Sequence, residues 1–342
     1  MKRFVGVVAA VVFAAGCGEK AEPSAEAPVR LEPYTVMLDY FPNADHAGIY
    51  AAQEAGLYEK AGLAVKIQPP PDPSAPLKLL RAGRADVAIS YEPELLLARD
   101  AGAENLISVA ALVQVPLTSL MALPSAGIRS AADLAGKRVG TAGIPYQSAY
   151  LKTILEKAGV DPGSVKETGV GFNLVPALLS KKADAVLGAF WNYEGVDLEQ
   201  RGRKPVILRM EKLGVPTYNE LILVARRESL DTAGASRLRR FISATAEGTR
   251  LVRDDPAIGA DALLKADPGL ERDLQEAAIK ATLPAFFPAQ SAAPWGWQEV
   301  IDWANYERWM RTNDLLKRPP SESPPVTNEF LPGVGLESSS SE

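Results

Sequence analysis

The chain has a single cysteine, Cys17, and a single histidine, His46, among its 342 residues. An intrachain disulfide is therefore impossible. A structural zinc site normally takes four Cys or His ligands, so neither a metal nor a cofactor is expected. Any Ser-His-Asp or Cys-His mechanism would have to pass through His46. The sequence has no Walker A loop, no Rossmann glycine fingerprint and no nucleophile elbow. Beyond residue 17 no apolar run approaches the ~20 residues of a membrane span. The net charge of -5 leaves no basic stripe for a phosphate backbone, so nucleic acid is not an expected partner. What remains is a folding composition: 47% hydrophobic and 23% charged residues can bury a sizeable core. The length allows two lobes or one large α/β domain.

The N-terminus reads as an address. Met1-Lys2-Arg3 is basic, Phe4 to Ala15 is short and apolar, and Ala14-Ala15-Gly16-Cys17 closes the run with small residues. This is the layout of a secretory signal. The small residues directly before Cys17 make it resemble a bacterial lipoprotein signal, with Ala14 where that signal usually has Leu. Residues 1–17 are then signal peptide, Cys17 carries the lipid, and the protein is an extracytoplasmic one anchored to the bacterial membrane or periplasmic. An ordinary secretory signal is the alternative. Residues 18–31, rich in Ala, Glu and Pro, read as a tether, and residues 318–342, rich in Pro and Ser, as a tail.

Between them strands and helices alternate. The pattern predicts strands at Thr35–Asp39, Leu63–Gln68 and Asp86–Ser90, with helices at Ala47–Ala61 and Ala75–Ala82. The rhythm restarts with strands at Arg138–Ala142, Val165–Val170 and Ala185–Ala189. Helices fall at Ser148–Ala158 and Val175–Ser180. A further strand, Glu220–Arg226, leads into helices over Ser236–Arg253, Gly269–Thr282 and Trp297–Asn313. The aromatic side chains of the last helix read as packing. Such βαβ units argue for two largely parallel sheets. One unit occurs twice: Gly83-Arg84-Ala85-Asp86 runs into a strand exiting at Tyr91-Glu92, and Lys181-Lys182-Ala183-Asp184 into one exiting at Trp191-Asn192-Tyr193-Glu194. The expected class is α/β, with lobe one from 32–120 plus 222–317 and lobe two from 121–221. Two crossover segments, near Thr118–Ala122 and Glu220–Ala225, permit hinge closure.

Ligands of open parallel sheets bind beyond the carboxyl ends of strands. Asp39, Tyr40, Asn43 and His46 follow the first strand, Tyr91 and Glu92 the third, and Trp191, Asn192 and Glu194 its counterpart in lobe two. A Trp face with a carboxylate and an amide suits a flat nitrogen heterocycle: the ring stacks and the carboxylate accepts from an exocyclic amine and a protonated ring nitrogen. Trp191 could instead be core, His46 a cap, and the two glutamates surface acids. Gln114 and the Gly143-Ile144-Pro145-Tyr146 turn are further candidates. That turn precedes a helix but has no Lys or Arg beside it, so a phosphorylated ligand is not expected.

The stretch Leu38-Asp39-Tyr40-Phe41-Pro42-Asn43-Ala44-Asp45-His46-Ala47-Gly48-Ile49-Tyr50 resembles the opening motif of the NMT1/THI5-like family. Gly56-Leu57-Tyr58, Gly83–Asp86, Leu134–Gly140 and Lys212-Leu213-Gly214 are similar to it as well, over residues 35–313. The resemblance implies a periplasmic binding protein fold of type II. It also implies an ABC-importer binding protein for a thiamine pyrimidine precursor, with permease and ATPase subunits as partners. It places Tyr218 and Glu220 on the lobe-two side of the cleft. The family also includes a fungal pyrimidine synthase, which resembles a binding protein with an added lysine, histidine and cysteine cluster. The corresponding positions here are Ser90, Glu94 and Val215–Asn219, which supply no amine for a Schiff base and no thiolate. No enzyme activity is expected. A monomer that binds a small heteroaromatic solute is the expectation, with a flavin such as riboflavin as the alternative ligand and a transporter-free sensor as an alternative role.

Overall fold

The computed structural model describes Met1 and residues 30–287 and 293–334. The expected signal beyond Met1, Cys17 and the tether through residue 29 lie outside the described residues, as do residues 335–342. No helix among the described residues is long and apolar enough to cross a membrane.

In chain order the elements begin β1 (Glu32–Met37), α1 (Ala47–Glu54), α2 (Leu57–Lys60), β2 (Leu63–Gln68), α3 (Pro76–Arg81), β3 (Val87–Ser90), α4 (Glu92–Asp100) and β4 (Leu106–Val113). The middle of the chain supplies β5 (Thr118–Ala122), β6 (Arg138–Thr141), α5 (Pro145–Lys157), β7 (Lys166–Gly169), α6 (Leu174–Leu179), β8 (Ala185–Phe190), α7 (Glu194–Gln200) and β9 (Val206–Arg209). The remainder is β10 (Leu221–Arg226), α8 (Thr232–Asp254), α9 (Pro256–Ala266), α10 (Arg272–Phe286) and α11 (Val300–Thr312). The single helix expected over Ala47–Ala61 is two, because Gly56 takes a left-handed φ of +66° that ends one and starts the other. β4, α4, α7, β9 and α9 were not among the sequence expectations.

Two five-stranded sheets result, ordered β2-β1-β3-β10-β4 and β7-β6-β8-β5-β9. In each, the antiparallel strand in fourth place is the one reached by crossing from the other sheet: β10 in the first, β5 in the second. The chain crosses at 114–117 and returns at 214–220, so Thr118–Ala122 and Leu221–Arg226 are themselves strands rather than the crossing segments. The repeated Ala-Asp unit has a physical purpose. Asp86 accepts a hydrogen bond from the Thr35 backbone N–H at 2.7 Å, and Asp184 from that of Arg138 at 2.9 Å. Each aspartate clips the start of its own strand to the neighbouring parallel strand. β3, β4, β5 and β10 are buried apart from Arg226, so they are mostly apolar, and their few hydroxyl side chains (Ser90, Ser108, Thr118, Ser119) are buried with them.

The expected tail is a packed strap over residues 318–334. Ser108 N donates to Pro325 O at 2.8 Å and Thr327 N to Ser108 O at 3.0 Å, forming a parallel bridge beside β4. Val326, Phe330 and Leu331 are buried, and the Arg99 guanidinium holds Ser323 O at 2.5 Å. Pro and Ser on the exposed side of an extended segment conceal this burial from a composition reading. Removing residues 318–342 strips three apolar side chains worth roughly 5 kcal/mol together. The truncated protein is expected to lose that much stability in urea unfolding; an unchanged midpoint would return the segment to a tail.

Candidate functional site

β1, β3 and β8 end on the same face of the molecule, and the loops beyond them line a cavity together with the start of α5. The gap between its lining atoms, counting the space open to solvent, is about 360 Å³. The first sheet's half contributes Asp39, Tyr40, Asn43, Asp45 and Tyr91. The second contributes Ala142, Ile144, Tyr146, Gln147, Gly188, Phe190, Tyr193 and Glu194.

Asp39 is fully committed within the protein. Its Oδ1 lies 2.8 Å from His46 Nε2 and its Oδ2 accepts from Tyr91 OH at 2.6 Å. The other ring nitrogen of His46, Nδ1, accepts from the Asn43 backbone N–H at 3.3 Å, so the partners assign the Nε2–H tautomer. His46 therefore stands behind the cavity wall and orients Asp39, which in turn holds the Tyr91 ring. Asn43 caps the short turn that carries Asp45, its Oδ1 accepting from Asp45 N at 2.9 Å.

Asp45 and Glu194 differ from Asp39. Asp45 Oδ1 accepts from Asn192 Nδ2 at 2.7 Å, a contact between the two halves, but Oδ2 has no hydrogen-bond partner among the described residues although it is buried. Glu194 Oε2 accepts from the Phe190 backbone N–H at 2.7 Å. Burial pushes the Asp45 carboxyl up to about 6 and that of Glu194 up to about 8. No Lys or Arg among the described residues lines the cavity. Five aromatic rings (Tyr40, Tyr91, Tyr146, Phe190, Tyr193) surround the two acids. This lining suits a flat ring that donates hydrogen bonds and repels phosphate and carboxylate ligands.

Gln147 enters through a close backbone approach. Its Oε1 accepts from Ala142 N at 2.8 Å, and a Cβ on Gly188 would sit 2.1 Å from its Nε2. Only glycine fits there, at φ +104°.

Seven expected site residues lie elsewhere. His46 is behind the wall, as described. Trp191 turns away: its Nε1 donates to Pro116 O at 3.0 Å and the Arg209 guanidinium covers its ring at 4.0 Å. Asn192 spans the halves, its Nδ2 bonding Asp45 and Thr282 Oγ1 (2.6 Å). Glu92 accepts from Asn219 N and Nδ2 at 2.8 and 2.7 Å. Gln114 donates to Trp297 O at 2.8 Å. Tyr218 OH donates to Glu220 Oε2 at 2.9 Å. Glu220 is wholly buried between the crossing segments, holding Leu117 N, Thr118 N and the Thr118 hydroxyl. These acids and amides staple the hinge. The sequence reading passed over Asp45 inside the opening motif and Tyr193 inside Trp191–Glu194. It also missed Gln147, Gly188 and Phe190.

Burial raises Glu92 to about 8 and Glu220 to about 7, alongside Asp45 and Glu194. The folded protein thus binds protons that the unfolded chain, titrating near 4.5, has released. Stability from these groups is complete at acid pH and is lost as pH rises through the folded values. The thermal midpoint of ligand-free protein is expected to fall between about pH 5 and about pH 8, and Glu92→Gln and Glu220→Gln to flatten the slope. A midpoint that rises over that range would contradict the sign.

Two α/β halves, each with a strand exchanged through a double crossing and a side-chain-lined cleft between them, define a periplasmic binding protein fold of type II. A Candida albicans protein described as exhibiting the generic periplasmic binding protein structural fold superposes with a TM-score of 0.64 at 16% identity, covering 87% of this chain and 97% of that one. The chain belongs to the NMT1/THI5 like family, whose model matches residues 43–258. The formylaminopyrimidine-binding protein of Halalkalibacterium halodurans is 33% identical over 325 residues, 93% of this chain and 96% of that protein. The Legionella pneumophila 4-amino-5-hydroxymethyl-2-methylpyrimidine phosphate synthase is 27% identical over 301 residues, 87% of this chain and 92% of that protein.

Proposed function

We propose that the protein is the extracytoplasmic solute-binding lipoprotein of an ABC importer and that its cleft captures a thiamine-related aminopyrimidine, hydroxymethylpyrimidine or formylaminopyrimidine. The observation that carries this reading is a cavity that no Lys or Arg of the described residues lines: aromatic walls around two buried carboxylates, Asp45 and Glu194, of which Asp45 Oδ2 has no partner among the described residues. An exocyclic amine and a protonated ring nitrogen are the donors such a pair lacks. The Halalkalibacterium relative, whose name specifies a formylaminopyrimidine, supports the same solute class. Binding rather than synthesis is favoured by the family resemblance, which sets Ser90 and Glu94 against the synthase's lysine and histidine, and the cysteine-free stretch 215–219 against its cysteine cluster. A permease and an ATPase are the partners this role requires.

Calorimetric titration with hydroxymethylpyrimidine, formylaminopyrimidine, thiamine and riboflavin tests the solute. One of the two simple pyrimidines is expected to bind most tightly; binding of riboflavin alone would keep the binder and reject the pyrimidine. The anchor is tested separately. Cys17→Ser is expected to move the protein out of the membrane fraction, and retention there without a lipid mass on the wild type would reject lipidation.

A further inference from the structure

An aromatic cluster bridges the two halves beside the cavity. Tyr40 and Phe41 belong to the loop after β1, Phe172 to the loop between β7 and α6, and Tyr193 to the turn after β8. Phe172 meets Tyr40 edge-on at 4.6 Å between ring centroids and Phe41 at 5.9 Å; Phe41 meets Tyr193 at 6.0 Å. Tyr40 OH also reaches Gly171 O at 3.5 Å. Tyr40 and Tyr193 line the inner cavity, whereas Phe41, Phe172 and Tyr193 line a second, outer groove of about 930 Å³ with Leu270 and Leu274. The cluster therefore stands between the inner cavity and the outer groove. Phe172 does not touch the inner cavity, is only half-buried, and follows Gly171 at φ +57°. Its contacts to Tyr40 and Phe41 join one half of the molecule to the other, so a movement that separates the halves at this point parts them.

We propose that Phe172 is the latch of the cleft: a positioning residue that holds the two halves closed over the solute and gates its exit through the outer groove. The proposal rests on the binding reading of the cleft but not on which solute it takes. A contact that acts on closure shifts the open–closed equilibrium by one factor, whatever the solute, because its free energy differs between the two states and not between ligands. A contact to the solute would change different solutes by different factors.

The test is Phe172→Ala. Loss of two aromatic pairs corresponds to roughly a 10-fold faster dissociation. Stopped-flow dissociation of formylaminopyrimidine and of hydroxymethylpyrimidine should accelerate by the same factor, and Phe172→Leu, which keeps apolar bulk, by less. Unchanged rates, or factors that differ between the two solutes, would overturn the latch. A second readout needs no solute: spin labels on the exposed positions of Arg84→Cys and Lys182→Cys, one in each half, in a Cys17→Ser chain. Phe172→Ala should shift the inter-label distances of the ligand-free protein towards the open form. Distances identical to those with Phe172 present would overturn the latch even if neither pyrimidine binds, an outcome that would separately reject the proposed solute.

Discussion

Replacing Glu220 by alanine should destabilise the protein by about 4 kcal/mol, while Glu220→Gln should cost about 1 kcal/mol or less. The carboxylate is wholly buried and accepts from Leu117 N at 2.7 Å, Thr118 N at 2.8 Å and Tyr218 OH at 2.9 Å on one oxygen, and from the Thr118 hydroxyl at 2.9 Å on the other. Alanine leaves two backbone donors and a phenol without an acceptor inside the hinge, and each buried orphan costs ~1–3 kcal/mol. Glutamine can keep its oxygen under the three donors and turn its amide to Thr118 Oγ1. The hydroxyl then donates to Tyr146 OH, 3.2 Å away. At neutral pH this is close to the protonated Glu220 that burial already favours. Urea unfolding of the three proteins measures the difference. Equal losses for Ala and Gln would mean that the charge, rather than the count of acceptors, holds the hinge.

Glu194→Gln should weaken solute binding by roughly tenfold to a hundredfold with little change in stability: burial favours the neutral acid in the empty cleft, the solute's donors favour the carboxylate, and glutamine cannot make the resulting charge-assisted hydrogen bond. Glu194 Oε2 accepts the Phe190 backbone N–H at 2.7 Å, which an amide oxygen can still take. Glu194 also lines the cavity, and there an amide presents a donor to the donors of an aminopyrimidine. Asp45→Asn should lower affinity too, with an added penalty because Asn192 donates to Asp45 Oδ1. Calorimetry against formylaminopyrimidine reads both. Wild-type affinity in Glu194→Gln would remove this carboxylate from the recognition of the solute.

These two glutamates show what was and was not legible in the sequence. The strand-end rule locates Asp39, Tyr40, Asn43 and Tyr91 because β1 and β3 do point their ends into the cleft. The same rule fails one residue beyond β8. The turn closed by Tyr193 N on Phe190 O directs Tyr193 and Glu194 inward and Trp191 outward, where Arg209 stacks on it. A turn of that kind is set by backbone geometry that apolar periodicity does not encode. Glu220 reads as a cleft acid by position, yet its donors come from Leu117 and Thr118, about a hundred residues earlier, and only the fold brings them together. Gln147 depends in the same way on the missing Cβ of Gly188. The repeated Ala-Asp units, by contrast, are local and were visible directly.

The central claim, that this cleft carries an aminopyrimidine between Asp45 and Glu194, is tested most directly by native mass spectrometry of gently purified protein. One added mass equal to hydroxymethylpyrimidine or formylaminopyrimidine is expected, lost in Glu194→Gln. A flavin or a phosphorylated solute in its place, or bare protein that takes up neither pyrimidine when it is supplied, would contradict it.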